Sequence, residues 1–370
     1  MTDAIEQLLA RDPFLPDEKK NPLFRDAMRS AVSFHREHSD FYRAFLSANG
    51  FSDFSASGAA PEDLPPLPIG IFKERVLASV PESEIVKTTH SSATTGATSS
   101  TIVIDDVTRT RQRRALARIL SAVLGGPERK SFVILDSRRT LGASGGELSS
   151  RATTIRGLLS FSSRFFCVLD DNLDVDEQAL LRARERIGSD NAVIFGVTTV
   201  FYDVLKKYRD RAEMKKIWES MNQPYLLMSG GWKKLAGLNV DQEEFKRGLA
   251  DFFGTSRGRI IDFYGMIEQP GVIYPECAFG FKHIPSYGEI IVRDLKTMRP
   301  LPIGQDGMLE VISPLPHSYP GVALLTDDIG RMAGRDGCQC GIPGAFFTFV
   351  ARASHAEAKG CGDTLAIPHF

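Results

Sequence analysis

Between Ser131 and Tyr264 the chain alternates short apolar runs with amphipathic stretches, and no other feature limits the fold as strongly. Ser131–Leu135, Phe165–Leu169, Ala192–Val197, Pro224–Met228 and Arg259–Tyr264 have the length and side chains of buried strands. Helical stretches at Asp176–Arg186, Thr199–Tyr208 and Asp241–Phe253 lie between them. Strands that are apolar throughout need cover on both faces, which predicts an α/β fold with buried sheets. After Gly271 the texture changes. Gly288–Arg293, Gly307–Ile312, Val322–Leu325 and Phe346–Ala351 are short and divided by Gly and Pro turns, predicting a smaller β-rich part over about 272–352.

Upstream, Pro22–Ala48 has helical apolar spacing, with Asn21 as the expected cap and Asn49-Gly50 as the stop. A connector rich in Pro, Ser and Ala closes with Pro65-Pro66-Leu67-Pro68. Residues 108–124 read as a helix whose Arg109, Arg111, Arg113, Arg114 and Arg118 form a solvated face.

With 370 residues there is room for one large or two ordinary domains. The 45 basic and 46 acidic side chains leave a net charge of −1, so nothing calls for nucleic acid or an anionic membrane. No apolar run approaches the ~20 residues that span a bilayer. The acidic start shows no export signal, and five cysteines in so long a chain do not form a disulfide framework. A cytoplasmic protein is expected.

One polar stretch stands out, His90 to Thr101, in which eight of twelve residues are Ser or Thr around Gly96. Strand-like runs flank it, and such a turn can aim several N–H and O–H donors at a phosphate. It is not a Walker loop, because no Gly-Lys-Ser/Thr follows the glycine. Ser229-Gly230-Gly231 and Tyr264-Gly265-Met266-Ile267-Glu268 each follow a strand, where ligands of α/β sheets bind. Thr326-Asp327-Asp328-Ile329-Gly330-Arg331 is expected to follow another strand. A stacking ring, close backbone approach, carboxylates and a hard oxygen ligand are the parts that a nucleotide with magnesium requires.

In this order the stretches resemble the adenylate-forming superfamily of acyl-CoA synthetases and adenylation domains. The likeness is greatest to its acyl-protein synthetase branch, which activates fatty acids in bacterial luminescence, and extends to phenylacetate-CoA ligases. The family's Ser/Thr-Ser-Gly-Thr-Thr-Gly loop matches Ser91–Gly96, and its Tyr-Gly-x-Thr-Glu matches Tyr264–Glu268. Its Thr-Gly-Asp-Leu-Gly-Arg matches Thr326–Arg331, and its Gly-Arg hinge resembles Ala351-Arg352. The resemblance implies that superfamily's large-domain fold over 1–352, with stacked mixed sheets, helices and a small β subdomain, then a short tail at 353–370. It implies ATP bound by Ser91, Ser92, Thr94, Thr95 and Gly96 at the phosphates and by Ser229, Gly230, Gly231 and Gly265 through the backbone. Tyr264 would stack on adenine, Asp328 would hold the ribose, Arg352 would reach the nucleotide, and Glu268 would bind Mg2+. The implied chemistry is attack of a carboxylate on the α-phosphorus of ATP, giving an acyl-adenylate and pyrophosphate, a reaction that depends on positioning and charge neutralisation.

Some positions depart from that pattern. Ala93 stands for Gly, Ser99 for a common Lys and Ile267 for Thr, and the chain stops about eighteen residues after Arg352. The usual C-terminal domain with its catalytic Lys is therefore expected to be absent, which leaves coenzyme A without its usual transfer apparatus. Acyl-protein synthetases are similarly short, and they carry their acyl group on a cysteine near the C-terminus. Cys361, in Lys359-Gly360-Cys361-Gly362, is the expected acceptor, with a nearby cation to favour the thiolate. A partner, such as a reductase, could instead receive the acyl group.

Cys277-x5-His283 and Cys338-Gln339-Cys340 supply three thiols and an imidazole, the ligand types of structural zinc, although the Cys-x-Cys gap is tight. Cys167, in an apolar strand, reads as inert core. Two other functions fit parts of the chain. Gly142-Ala143-Ser144-Gly145-Gly146 fits a hydrolase's Gly-x-Ser-x-Gly, but five residues separate it from the preceding strand, whereas a nucleophile elbow follows at once. A degenerate, non-catalytic nucleotide- or partner-binding protein would also carry these motifs. The acid stays open between a fatty acid and an aromatic one, such as a phenazine carboxylate in an antibiotic pathway, and a homodimer is one assembly open to the chain.

Overall fold

The computed structural model describes residues 3–51, 54, 60–90, 99–142, 150–188, 190–231, 240–353 and 365–368. Two compact units are present: residues 1–120, 265–274 and 281–370 form the first, and 121–264 with 275–280 form the second. No helix among the described residues is long and apolar enough to cross a membrane.

The first unit opens with helices α1 (Ala4–Leu9), α2 (Asp17–His38) and α3 (Asp40–Ala48). The single helix expected over 22–48 is thus two helices. Ser39 is extended, and its Oγ accepts from Tyr42 N at 3.3 Å, so it caps a new helix where periodicity alone predicts continuity. Asn21 is not a cap either, because α2 starts at Asp17 behind Pro16 and takes Pro22 into its first turns. Pro22 is the sixth residue of α2, beyond the N–H groups that lack an intrahelical partner, so its missing N–H costs the helix one internal hydrogen bond.

Then come β1 (Leu67–Pro68), α4 (Ile71–Glu74) and the antiparallel pair β2 (Ile85–His90) and β3 (Thr101–Asp105), followed by α5 (Asp106–Val123). The arginines of α5 form a solvated face only in part: Arg109, Arg113 and Arg114 are exposed, whereas Arg111 and Arg118 turn to the protein. Arg111 is buried and pairs with Asp3 at 2.6 Å, Arg114 pairs with Glu6, and Arg118 donates to Arg11 O and to Tyr287 Oη. Acidic α1 thus meets the basic side of α5.

The second unit follows the alternation closely. Its strands are β4 (Lys130–Ser137), β5 (Ser162–Leu169), β6 (Ala192–Val197), β7 (Tyr225–Ser229) and β8 (Ile260–Tyr264), parallel and ordered β5-β4-β6-β7-β8. The helices are α6 (Arg138–Gly142), α7 (Ser150–Leu159), α8 (Glu177–Ile187), α9 (Thr198–Tyr208), α10 (Ala212–Glu219) and α11 (Gln242–Phe253). Asp176 and Asp241 cap α8 and α11 through their side chains. Val133, Ile194 and Leu226 of the sheet and Leu180, Phe201, Trp218 and Leu249 of the helices belong to one buried apolar cluster.

Strand β9 (Tyr274–Pro275) is the sixth strand of the sheet that holds β8, and the first unit resumes through β10 (Lys282–His283), β11 (Glu289–Arg293), β12 (Asp306–Ile312), β13 (Ala323–Arg335) and β14 (Ala345–Arg352). Its main sheet runs β10-β14-β13-β12-β11, antiparallel, with β1 added parallel to β13. The architecture is the expected α/β mixture of several sheets and helices.

Candidate functional site

Ser229 ends β7, and Gly230 and Gly231 follow with φ of 85° and 56°, a left-handed turn that glycine adopts without strain. Thr198 Oγ1 donates to Ser229 O at 3.1 Å and fixes the start of that turn. Tyr264 ends the adjacent strand β8, so both motifs lie at carboxyl ends of neighbouring parallel strands. At the end of β4, the buried carboxylate of Asp136 takes hydrogen bonds from Ser137 N at 2.8 Å and Thr140 Oγ1 at 2.7 Å, and pairs with Arg151 Nε at 2.8 Å. No sequence motif marked this group. Helix α6 follows β4 and ends at Gly142, so that glycine does not come directly after a strand as the first glycine of a nucleophile elbow does; Ser144 itself lies outside the described residues.

In the first unit, the Thr326–Arg331 motif lies inside β13 rather than after it. The strand continues because both neighbours keep pairing: Arg331 with Asp306 of β12, and Asp328 with Arg352 of β14. Register shifts between Met308 and Glu310, and between Ile329 and Gly330, bend the ladder around the motif. At the first shift Leu309 O accepts from Thr326 Oγ1 at 2.8 Å, and the same hydroxyl accepts from Asp328 N at 3.1 Å. Thr326 is therefore a positioning residue for Asp328. The buried Asp328 carboxylate has Arg352 Nε at 3.4 Å, with the arginine side chain half-exposed. Two residues expected at one ligand are thus brought together by strand register.

Glu268 is buried, and its carbonyl accepts from Tyr319 Oη at 2.8 Å. Gln269 Nε2 donates to Val311 O at 3.2 Å and Gly321 O at 2.9 Å, so the turn after Gly265 is tied to β12 and the loop beyond it. Among the described residues no cation pairs with the Glu268 carboxylate, and a buried acid of that kind fits a divalent-cation ligand. Tyr319 carries no motif and was legible only in space. His90 ends β2 exposed, with Thr101 Oγ1 at 3.3 Å from its Nδ1. Ser91, Ser92, Thr94, Thr95 and Gly96 lie outside the described residues, as does Cys361.

The Cys/His set does converge. The ligand atoms of Cys277, His283, Cys338 and Cys340 all lie within 4.8 Å of one another, a group able to hold a metal ion. Burial pushes the His283 imidazole down to about 4. Cys167 is buried in β5, and burial, helped by the charge of Asp136, pushes its thiol up to about 11, consistent with an inert core residue.

Comparison with known proteins adds the family. Residues 2–368 match the family model described as "Acyl-protein synthetase, LuxE". A long-chain-fatty-acid–luciferin-component ligase of Vibrio harveyi is 24% identical over 93% of this chain and 87% of its own length. The ligase of the same name from Aliivibrio fischeri is 21% identical over 94% of this chain and 89% of its own length. Among solved structures, an open conformation of 2-hydroxyisobutyryl-CoA ligase, in complex with 2-HIB-AMP and CoA, shares the fold. Its TM-score is 0.67 at 16% identity, over 92% of this chain and 71% of that one. The chain belongs to the LuxE family of acyl-protein synthetases and is a carboxylate ligase with the adenylate-forming fold.

Proposed function

We propose that the chain activates a long-chain fatty acid with ATP and passes the acyl group from the adenylate to a thiol. The observation that carries this is the match along nearly the whole chain to the acyl-protein synthetase family and to two long-chain-fatty-acid ligases. In this reading one oxygen of the fatty carboxylate attacks the α-phosphorus of ATP. An O–P bond forms, the bond to the β-phosphate oxygen breaks, and pyrophosphate leaves. A thiolate then attacks the acyl carbonyl carbon, a C–S bond forms, and AMP leaves with the electron pair of the broken C–O bond.

Ser91, Ser92, Thr94, Thr95 and Gly96 would donate to the phosphates, and Ser229, Gly230, Gly231 and Gly265 would let the backbone approach the nucleotide. Tyr264 would stack on adenine, Asp328 would accept from the ribose hydroxyls, and Arg352 would neutralise charge beside it. Mg2+ would be held by Glu268, and bound there it would offset phosphate charge. Cys361 is the proposed acceptor; coenzyme A or a partner such as a reductase is the alternative destination. An ion at the Cys/His group takes no part in this chemistry.

The test is ATP-dependent pyrophosphate release with a panel of acids, followed by detection of hydroxylamine-sensitive acyl label on the protein. Release with long-chain fatty acids and not with aromatic acids is expected. Release only with aromatic acids, phenazine carboxylates among them, would overturn the substrate class, and release with none would overturn activation itself. Label on wild type that is absent from Cys361→Ser is expected. Equal label on both proteins would remove Cys361 from the mechanism.

A further inference from the structure

The turn between β13 and β14 is held by polar contacts. Asp336 N donates to Gly344 O at 3.0 Å, and Gly344 N returns a hydrogen bond to Asp336 Oδ1 at 2.7 Å. Gly341 N donates to Cys338 O at 3.0 Å. Gly344, at φ 86°, lies so close to Leu15 that an added Cβ would sit 2.7 Å from its carbonyl oxygen. This turn presents Cys338 and Cys340. Strand β10, paired antiparallel with β14, presents His283 opposite Phe346.

Cys340 Sγ lies 3.2 Å from His283 Nε2 and accepts from Ile342 N at 3.4 Å. Cys277 precedes His283 by a short turn closed by Gly280 N on Cys277 O at 3.0 Å. Cys277, His283 and Cys338 are buried, and Cys340 is half-buried.

A Cys340–His283 dyad alone would suit nucleophilic chemistry, but two more sulfurs converging on the same point have no place in it. Three thiolates and an imidazole without a carboxylate are a soft, tetrahedral set. With Zn–S bonds of ~2.3 Å, neighbouring ligand atoms stand about 3.8 Å apart. The observed limit of 4.8 Å needs only small side-chain rotations to close.

We propose that Cys277, His283, Cys338 and Cys340 bind one Zn2+ tetrahedrally, as a structural ion that closes the β13–β14 turn. The same two strands carry Asp328 and Arg352 far from that turn, so the ion stabilises the hairpin without touching the nucleotide residues.

The full-length chain, purified under reducing conditions and exchanged into metal-free buffer, should retain one zinc per chain by mass spectrometry of the metal. That zinc should be released on titration with an organomercurial. Replacement by Co2+ should give the visible bands of a tetrahedral thiolate centre. Cys338→Ser and Cys340→Ser should weaken zinc binding by at least the ~100-fold that loss of an outer-shell partner can reach. His283→Cys, which rebuilds a four-thiolate set, should keep the ion. A wild-type chain that takes up neither Zn2+ nor Co2+, or one whose stoichiometric metal survives both serine substitutions, overturns the proposal. Should the serine variants fail to fold, the cobalt spectrum of the wild type decides it, and none of these readouts depends on adenylate formation.

Discussion

Val133, Ile194, Leu226 and Met228, in the parallel sheet of the second unit, share one dry cluster with α8 to α11. Charged and hydroxyl groups enter near the carboxyl ends of its strands, at Asp136 and at Ser229 with Thr198 beyond β6. The antiparallel sheet of the first unit carries charge in mid-strand. Glu310 is fully buried on β12, with Oε2 accepting from Arg293 Nε at 2.7 Å, and Lys20 meets Glu289 of β11 at 2.8 Å. Helices on both faces leave a parallel sheet little room for charge except past its strand ends. An antiparallel sheet with bulges can turn side chains towards loops and helix ends, and Arg293 uses this to reach the carbonyls of Glu62, Leu64 and Met298.

The comparison can be broken most directly at Arg293. Arg293→Ala leaves the buried Glu310 carboxylate and three backbone carbonyls without their donor. The expected loss is about 3–5 kcal/mol, read from urea unfolding at pH 8. A loss below ~1 kcal/mol would mean that the mid-sheet charge is incidental.

Titration sharpens the same contrast. Burial pushes the Glu310 carboxyl up from 4.5 to about 7 despite Arg293, and its Oε1 has no hydrogen-bond partner among the described residues. A carboxyl raised in the folded state keeps a proton that the unfolded chain releases, so its stabilisation is full below pH 4.5 and lost as pH rises to about 7. Glu310→Gln should remove that slope. The stability of wild type minus variant should fall by about 3 kcal/mol over the interval. A flat difference between pH 4.5 and 8 would show that Arg293 keeps Glu310 ionised throughout.

Asp328→Ala tests the part of this sheet that is proposed to hold ligand. AMP or ATP affinity should weaken by ~1.5–3 kcal/mol, the range for hydrogen bonds to a charged group. Unchanged affinity by calorimetry would remove Asp328 from the site. The smallest effect is expected in the parallel sheet, where Thr198→Val deletes one hydrogen bond to Ser229 O. About 0.5–1.5 kcal/mol of stability should go, with the rest of the apolar cluster intact. A larger loss would show that the strand-end turn is as stringently built as the buried ion pair.

What the sequence alone determined lies in local rules. Ala192–Val197 is a strand with the expected limits, and Asp176 and Asp241 cap helices one residue before they begin. Periodicity, apolar length and capping act over a few residues, so they survive without knowledge of the rest of the chain. The motifs that marked the family and the Cys/His set were legible as residue types in order, because ligand chemistry restricts which side chains can serve. Tertiary structure decided what depends on a distant partner. Ser39 breaks a helix whose apolar spacing continues, and Arg111 is buried because Asp3 waits for it. Strand β13 runs through Asp328 because Arg352 pairs with it, and Tyr319 pins Glu268 with nothing in its neighbours to announce it. His283 meets Cys340 because β10 lies along β14. Burial and strand pairing are properties of surfaces brought together from separate parts of the chain, and no local pattern encodes which surfaces will meet.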